Sequence, residues 1–270
     1  MFSILYGKMN INIQDGDNMK VLITGASSGI GRDMARILSS QGHDLILVAR
    51  RKKRLEELQK ELDGNVEIIS MDISSTFQCM KLYEKVKKEK IDVLINNAGF
   101  GLFGKFTETK LERELDMIDL NIKSLHTLTK LFLKDFIERD SGYILNVASS
   151  AAFMPGPLMA TYYGTKAYVL HLTEAISEEL RREKSHVSIS ALCPGPVSTE
   201  FNKVANVKFS LKELSSYDVA EYAIKKMFQK KTVIIPGFSM KSAIFFSRFM
   251  PRKSLCKMAY KIQHSKEKRD

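Results

Sequence analysis

The chain has 270 residues, is 44% hydrophobic and carries a formal charge of +11. Its apolar runs recur evenly, with no Pro/Gly/Ser-rich linker, low-complexity block or solenoid repeat, so one domain with one large core is expected. Three scattered cysteines, Cys79, Cys193 and Cys256, exclude a disulfide framework or a metal cluster and favour a reduced, cytoplasmic setting.

Residues 1–18 lack the basic flank and long apolar core of a signal peptide or membrane span, and their polar run Asn10 to Asn18 reads as a disordered extension. Met19, directly before the first apolar run, is a candidate start of the native chain. From there, runs of strand length alternate with amphipathic stretches. Strands are predicted at Lys20 to Thr24, Asp44 to Ala49, Val66 to Met71, Ile91 to Asn96, Tyr143 to Ala148, Val187 to Cys193 and Thr232 to Pro236. The intervening helices are predicted at Arg32 to Ser40, Arg51 to Leu62, Thr76 to Glu89, Glu108 to Glu138 and Ala160 to Lys184. Ser215 with Asp218 announces a further one. The longest candidate, Glu108 to Glu138, carries Leu111, Leu115, Ile118, Ile122 and Leu125 at helical spacing, and Asn121 interrupts it beside that face. Strands alternating with helices imply a single-domain, Rossmann-like doubly wound parallel sheet of about seven strands, spanning residues 19–237.

Gly25, Gly29 and Gly31 lie between the first strand and the first helix. There the chain must turn tightly and let a pyrophosphate reach a helix N-terminus without interference from a Cβ. With the hydroxyls of Thr24, Ser27 and Ser28 and with Ile30 alongside, this loop reads as a dinucleotide site. The second strand ends at Arg50, followed by Arg51, Lys52 and Lys53, where an NAD site would place a carboxylate on the ribose. A guanidinium offers a donor fork to a 2′-phosphate, so NADP(H) is favoured over NAD(H).

Tyr-x-x-x-Lys occurs at Tyr83/Lys87, Tyr162/Lys166 and Tyr222/Lys226. Spacing to an upstream serine does not decide among them, since Ser70 precedes Tyr83 as Ser149 precedes Tyr162. Context does: the Tyr83/Lys87 pair precedes Asn96-Asn97-Ala98-Gly99 and Asn121, and only Ser149, upstream of Tyr162, closes a predicted strand without an acidic residue close behind. A tyrosine with an ordinary pKa of about 10 is a poor proton shuttle near neutrality, and a lysine one helical turn away favours its phenolate.

These motifs together resemble the short-chain dehydrogenase/reductase family. The resemblance runs from Met19 to about Pro236 and rests on the glycine loop, Asn-Asn-Ala-Gly, Tyr-x-x-x-Lys and Pro194-Gly195-Pro196-Val197-Ser198-Thr199. It implies that Tyr162 exchanges a proton with the substrate oxygen and that Ser149 holds that oxygen. Lys166 would bind the nicotinamide ribose and Asn121 would hold a water in the proton path. It further implies that Asp72 contacts the adenine, that Asn97, Ala98 and Gly99 line the cofactor, and that Pro194, Gly195, Val197 and Thr199 enclose the nicotinamide. A homodimer or homotetramer is expected through the helices containing Asn121 and Lys166.

Phe100, Leu102, Phe103, Phe153, Met154, Leu158 and Met159 flank these loops and serve either an apolar substrate pocket or the core. Glu200 to Leu214 is read as a lid. His43, His126, His171, His186 and His264 show no metal spacing, and no nucleic-acid motif accompanies the charge. Residues 238–270 hold nine Lys/Arg and two Asp/Glu. Ile244, Phe245 and Phe249, then Leu255, Met258, Ala259 and Ile262, fall at helical spacing around Pro251. This basic amphipathic tail either meets a membrane surface or another anionic partner, or folds back on its own domain. The leading expectation is an NADP(H)-dependent oxidoreductase that reduces an apolar ketone or aldehyde or oxidises the matching alcohol. The rival is a dinucleotide-sensing protein with little turnover that works through its tail, and the complete Ser149, Tyr162, Lys166 set weighs against it.

Overall fold

Runs of Val, Ile and Leu with no polar alternation suit strands covered on both faces, and seven of them pair into one parallel sheet. The computed structural model describes residues 18–201 and 213–264. The strands are β1 (Lys20–Thr24), β2 (Asp44–Ala49), β3 (Val66–Ser70), β4 (Val93–Asn96), β5 (Tyr143–Val147), β6 (Ser188–Leu192) and β9 (Val233–Ile234). Their order is β3-β2-β1-β4-β5-β6-β9. In register, Ile23 lies opposite Leu47 on one side and Ile95 on the other. A separate parallel pair joins β7 (Val197–Ser198) to β8 (Leu214–Ser215). The order reverses between β1 and β4, so a crevice opens beyond the C-terminal ends of those strands, where open α/β sheets bind ligands.

Nine α-helices are described: α1 (Gly29–Ser40), α2 (Lys52–Glu61), α3 (Thr76–Val86), α4 (Leu111–Ile118), α5 (Leu125–Glu138), α6 (Ala160–Arg182), α7 (Ser216–Phe228), α8 (Phe238–Ser247) and α9 (Arg252–His264). On one face of the sheet, Val21 and Ile23 pack with Met34 and Leu38 of α1, Leu55 of α2 and Ile224 of α7. On the other, Leu22 and Leu94 pack with Leu82 of α3, Phe132 and Phe136 of α5 and Leu180 of α6. Asn96 and Asn146 are buried between β4, β5, α5 and α6. Asn96 Nδ2 donates to Thr129 Oγ1 at 3.1 Å and to Asn146 Oδ1 at 2.9 Å, and Asn146 Nδ2 donates to Thr173 Oγ1 at 3.1 Å.

The expected seven-stranded doubly wound sheet is present, with β1 and β2 at their expected bounds and the ends of the other strands drawn in by one or two residues where pairing stops. The single helix expected from Glu108 to Glu138 differs. Lys110 is extended, with φ −74° and ψ 128°, so α4 begins at Leu111. Between α4 and α5, residues Asp119–Ser124 form a wider π-helical turn. Such a turn inserts an extra residue and redirects side chains, and it is frequent at functional sites. Asn121 lies within it, buried. At the N-terminus, residues 1–17 lie outside the described residues. Asn18 is fixed by paired bonds to Asp44, its Nδ2 donating to Oδ1 and its Oδ1 accepting from the amide, both at 3.0 Å. Most of the expected lid, residues 202–212, also lies outside the described residues.

Candidate active site

Helix α1 starts within the glycine loop. Its N-cap, Ser28, is extended and makes no side-chain capping bond, which leaves the first helical N–H groups facing the crevice. Gly25 has φ +67°, and a Cβ on it would stand 2.8 Å from Ala98 Cα. A Cβ on Gly31 would meet Asn97 Nδ2 at 2.3 Å. These glycines therefore let the β1 and β4 loops close on each other. Thr24 Oγ1 accepts from the amides of Asn97 and Ala98 at 3.0 and 3.1 Å, and Asn97 Nδ2 donates to the carbonyls of Thr24 and Gly25 at 3.0 and 3.1 Å.

Behind β2, the basic pair separates in role. Arg50 is 69% exposed and stands 3.7 Å from Asp72 at the rim. Arg51 reaches inward. Its Nε and Nη2 donate to Ser27 Oγ at 3.1 and 2.9 Å, and Nη2 also donates to Ser28 Oγ at 2.8 Å. Its Nη1 pairs with Glu200 at 2.8 Å, and Arg54 pairs with the other carboxylate oxygen at 2.5 Å. The two guanidiniums hold the Glu200 carboxyl down at about 2. The basic run is visible in the sequence but this cluster is not, because Glu200 comes from a segment far along the chain.

The proposed catalytic side chains do converge. Tyr162 and Lys166 are buried on one face of α6, and Ser149 stands two residues past β5, at the start of the next turn. Ser149 Oγ also accepts from the Ala151 amide at 3.1 Å, capping a short 3₁₀ turn. Lys166 Nζ donates to the Val147 carbonyl at 2.8 Å and lies 5.9 Å from the centre of the Tyr162 ring. Burial, the leading cause in both, pushes the Tyr162 phenol upward and draws the Lys166 ammonium down to about 8. The nearby Ser149 hydroxyl opposes the shift on Tyr162, and the Cys193 thiol opposes that on Lys166. Asn121 braces the loop instead of facing open space. Its Oδ1 accepts from the Phe100 amide at 3.1 Å, and its Nδ2 donates to the Phe100 carbonyl at 2.9 Å and to Thr165 Oγ1 at 3.1 Å.

The other Tyr-x-x-x-Lys pairs are used elsewhere. Tyr83 donates to Asp135 Oδ1 at 2.7 Å, and the Tyr222 hydroxyl accepts from Lys241 at 2.8 Å.

One cavity of about 760 Å³ holds both halves of the site. Its wall includes Gly25, Ser27, Ser28, Gly29, Ile30, Arg50, Asp72, Asn97, Ala98 and Gly99, and also Ser149, Tyr162, Lys166, Pro194, Gly195, Val197 and Thr199. Gly31 and Asn121 stand behind that wall. Of the candidate apolar lining, Phe100, Met154 and Met159 face the cavity, whereas Phe153 packs with the buried Ala152, Val169 and Leu170. Phe201 lies against Tyr162, with ring centres 5.3 Å apart. The tail supplies further lining: Met240, Phe246 and Met250 from α8 and the turn after it, and Met258, Ile262 and Gln263 from α9. Gln263 Nε2 donates to the Tyr163 hydroxyl at 2.6 Å, fastening α9 to the helix that carries Tyr162. The helical spacing of the tail was visible in its sequence; its docking over the site was not.

A tight cradle at a helix N-terminus, a row of hydroxyls, a guanidinium fork and a buried lysine fit a phosphorylated dinucleotide running towards Tyr162. Among the described residues, no group of acids, histidines and cysteines could hold a metal ion, and no helix is long and apolar enough to cross a membrane.

Comparison with known proteins agrees with this geometry. The family model described as short chain dehydrogenase matches residues 19–208. An uncharacterised oxidoreductase of Staphylococcus saprophyticus is 34% identical over 219 residues, covering 78% of this chain and 92% of the relative. Among solved structures, a short-chain dehydrogenase from Sphingobium yanoikuyae in complex with NADPH is 30% identical, with a TM-score of 0.77 over 85% of this chain and 93% of that one. A bulky-bulky ketone specific alcohol dehydrogenase from Comamonas testosteroni is 26% identical, with a TM-score of 0.74 over 85% and 92% of the two chains. The chain belongs to the short-chain dehydrogenase family and is an oxidoreductase with a nicotinamide dinucleotide site.

Proposed function

We propose that this protein is an NADP(H)-dependent oxidoreductase that interconverts a ketone or aldehyde and the corresponding alcohol, with Tyr162 as general acid and base. The observation that carries the reading is that Ser149 and the buried Tyr162 and Lys166 line the same cavity as the glycine cradle and the Arg51 fork. The bound cofactor supplies or takes up the hydride. Because burial raises the Tyr162 phenol, its proton is in place at neutral pH and is available to the substrate oxygen during reduction. Ser149 donates a hydrogen bond to the same oxygen. The Lys166 ammonium stabilises the phenolate left behind, and it does so strongly because the site excludes water. Asn121 keeps the Gly99–Phe100 loop closed against this group.

Preference for NADP(H) is supported by Arg51, whose donors surround the hydroxyls at the mouth of the cradle, with Arg50 and Arg54 adding charge. The methionines and phenylalanines of the cavity wall suit an apolar substrate. Free Cys79, Cys193 and Cys256 fit a reducing cytoplasm. Exposed Leu111 and Leu115 on α4, with Tyr168 on α6, suit pairing of two copies through these helices.

The test is NADPH oxidation across aldehydes and ketones beside Tyr162→Phe. Turnover that disappears in the variant supports the reading. Tight NADPH binding without turnover on any carbonyl would return weight to the sensing protein.

A further inference from the structure

The two tail helices have two working sides. Inward, Met240, Phe246, Met250, Met258 and Ile262 line the cavity, while Leu255, Ala259 and Gln263 form the buried stripe of α9. Outward, the rings of Phe245, Phe246 and Phe249 form a cluster with centres 5.5 Å apart, and Phe238 lies two helical turns earlier on the same stripe as Phe245. Phe245 is 53% exposed and Phe249 is 73% exposed, which is unusual for rings in mutual contact. Arg248, Arg252, Lys253, Lys257 and Lys261 surround this cluster in sequence and are all exposed. None of them forms an ion pair with a described residue, and no acidic residue occurs from Phe238 to His264. An apolar ring cluster flanked by uncompensated cations is the chemistry of an interfacial element: rings enter the headgroup boundary and cations meet lipid phosphates.

The cavity opens at this surface. Phe246 and Ile262 both line the cavity and are exposed, so they mark its mouth between α8 and α9. We infer that α8 and α9 dock this protein onto an anionic bilayer, with the cavity mouth facing the lipid. The occupant is a membrane leaflet and not an acidic protein, because the contact offers contiguous phenylalanines rather than separated charges. Its consequence for substrate class rests on the proposed reductase activity: the carbonyl compound reaches Tyr162 from the bilayer, through Phe246 and Ile262, without crossing water.

The experiment is sedimentation of the full chain with phosphatidylcholine vesicles and with vesicles containing 30% phosphatidylglycerol. The wild-type protein is expected to bind only the second. Each Lys or Arg near such a surface is worth about 1 kcal/mol, roughly fivefold in affinity, so Arg248→Glu/Arg252→Glu/Lys253→Glu should lose on the order of 100-fold or more. Phe245→Ser/Phe249→Ser should lose binding while retaining its far-UV spectrum and its turnover of a short, water-soluble ketone. For a long-chain ketone carried in anionic vesicles, both variants should show KM raised at least tenfold with kcat kept. Wild-type protein that ignores anionic vesicles, or variants that bind as well as wild type, would overturn the inference. So would a Phe245→Ser/Phe249→Ser protein that changes oligomeric state without losing vesicle binding, because a second copy would then be the occupant. Vesicle binding without turnover on any ketone would instead leave the docking surface standing and remove the reductase reading.

Discussion

Arg51→Ala isolates the charge that separates the two nicotinamide cofactors. In the structure its guanidinium makes three bonds to Ser27 and Ser28 of between 2.8 and 3.1 Å and an ion pair to Glu200. A charge-assisted bond to a phosphate is worth about 1.5–3 kcal/mol, which is about 10- to 150-fold in affinity. The side chain is 44% exposed, so solvent screening favours the lower part of that range, about 10- to 30-fold for NADPH near physiological salt. NADH lacks the phosphate, and its affinity should change by no more than about twofold, as for an ordinary surface substitution. Glu200 competes for the same guanidinium, and the release of Arg51 and Arg54 by Glu200→Gln should tighten NADPH binding about two- to fivefold. Arg50→Ala should have a smaller effect than Arg51→Ala, given its loose 3.7 Å contact with Asp72. The chain has no tryptophan, so calorimetric titration or the fluorescence of the reduced nicotinamide provides the readout. Equal weakening of NADPH and NADH in Arg51→Ala would refute the reasoning, since Arg51 would then be holding the loop and not reading the phosphate.

Adjacent tyrosines allow a controlled comparison: Tyr162→Phe should lower kcat for carbonyl reduction by about 100- to 10,000-fold with NADPH affinity retained, whereas Tyr163→Phe loses only its bond from Gln263 and should keep kcat within about threefold. Comparable losses in both would mean that the wrong hydroxyl has been assigned. Lys166 gives stability and cofactor affinity opposite pH trends. Its folded value of about 8 lies below the ordinary lysine value of 10.5, so the folded state binds fewer protons across that window and stability rises with pH there. NADPH affinity should fall over the same rise as the charge is lost. Urea midpoints and NADPH titrations at pH 7.5 and 9 test both signs, and trends running in the same direction would count against a buried ammonium. Asn146→Ala should cost about 3 kcal/mol of unfolding free energy, because Asn96, Thr129 and Thr173 are buried and lose a partner. A loss below about 1 kcal/mol in denaturant titration would show that the network is not needed.

Local sequence determined the strands, the glycine loop and the pairing of Tyr162 with Lys166, since each depends on neighbours along the chain. A buried parallel strand shows as an apolar run. A tight turn requires glycine at Gly25 and Gly29, both at positive φ, and one helical turn fixes the relation of residue 162 to residue 166. Even the amphipathic tail was legible, because its apolar spacing does not depend on what it meets.

Tertiary structure decided the rest, because those arrangements join residues that share no period. The wide turn at Asn121 arises where α4 and α5 must bring an amide to the Phe100 loop, and the sequence reads there as one continuous helix. Arg51 rather than Arg50 points into the cradle because the chain turns into α2 at Lys52, and Glu200 meets it from a loop 149 residues away. Tail helices become the roof of the cavity only when Gln263 reaches Tyr163 across 100 residues. Periodicity records which face of an element is apolar, and only packing between distant elements selects the surface that covers it.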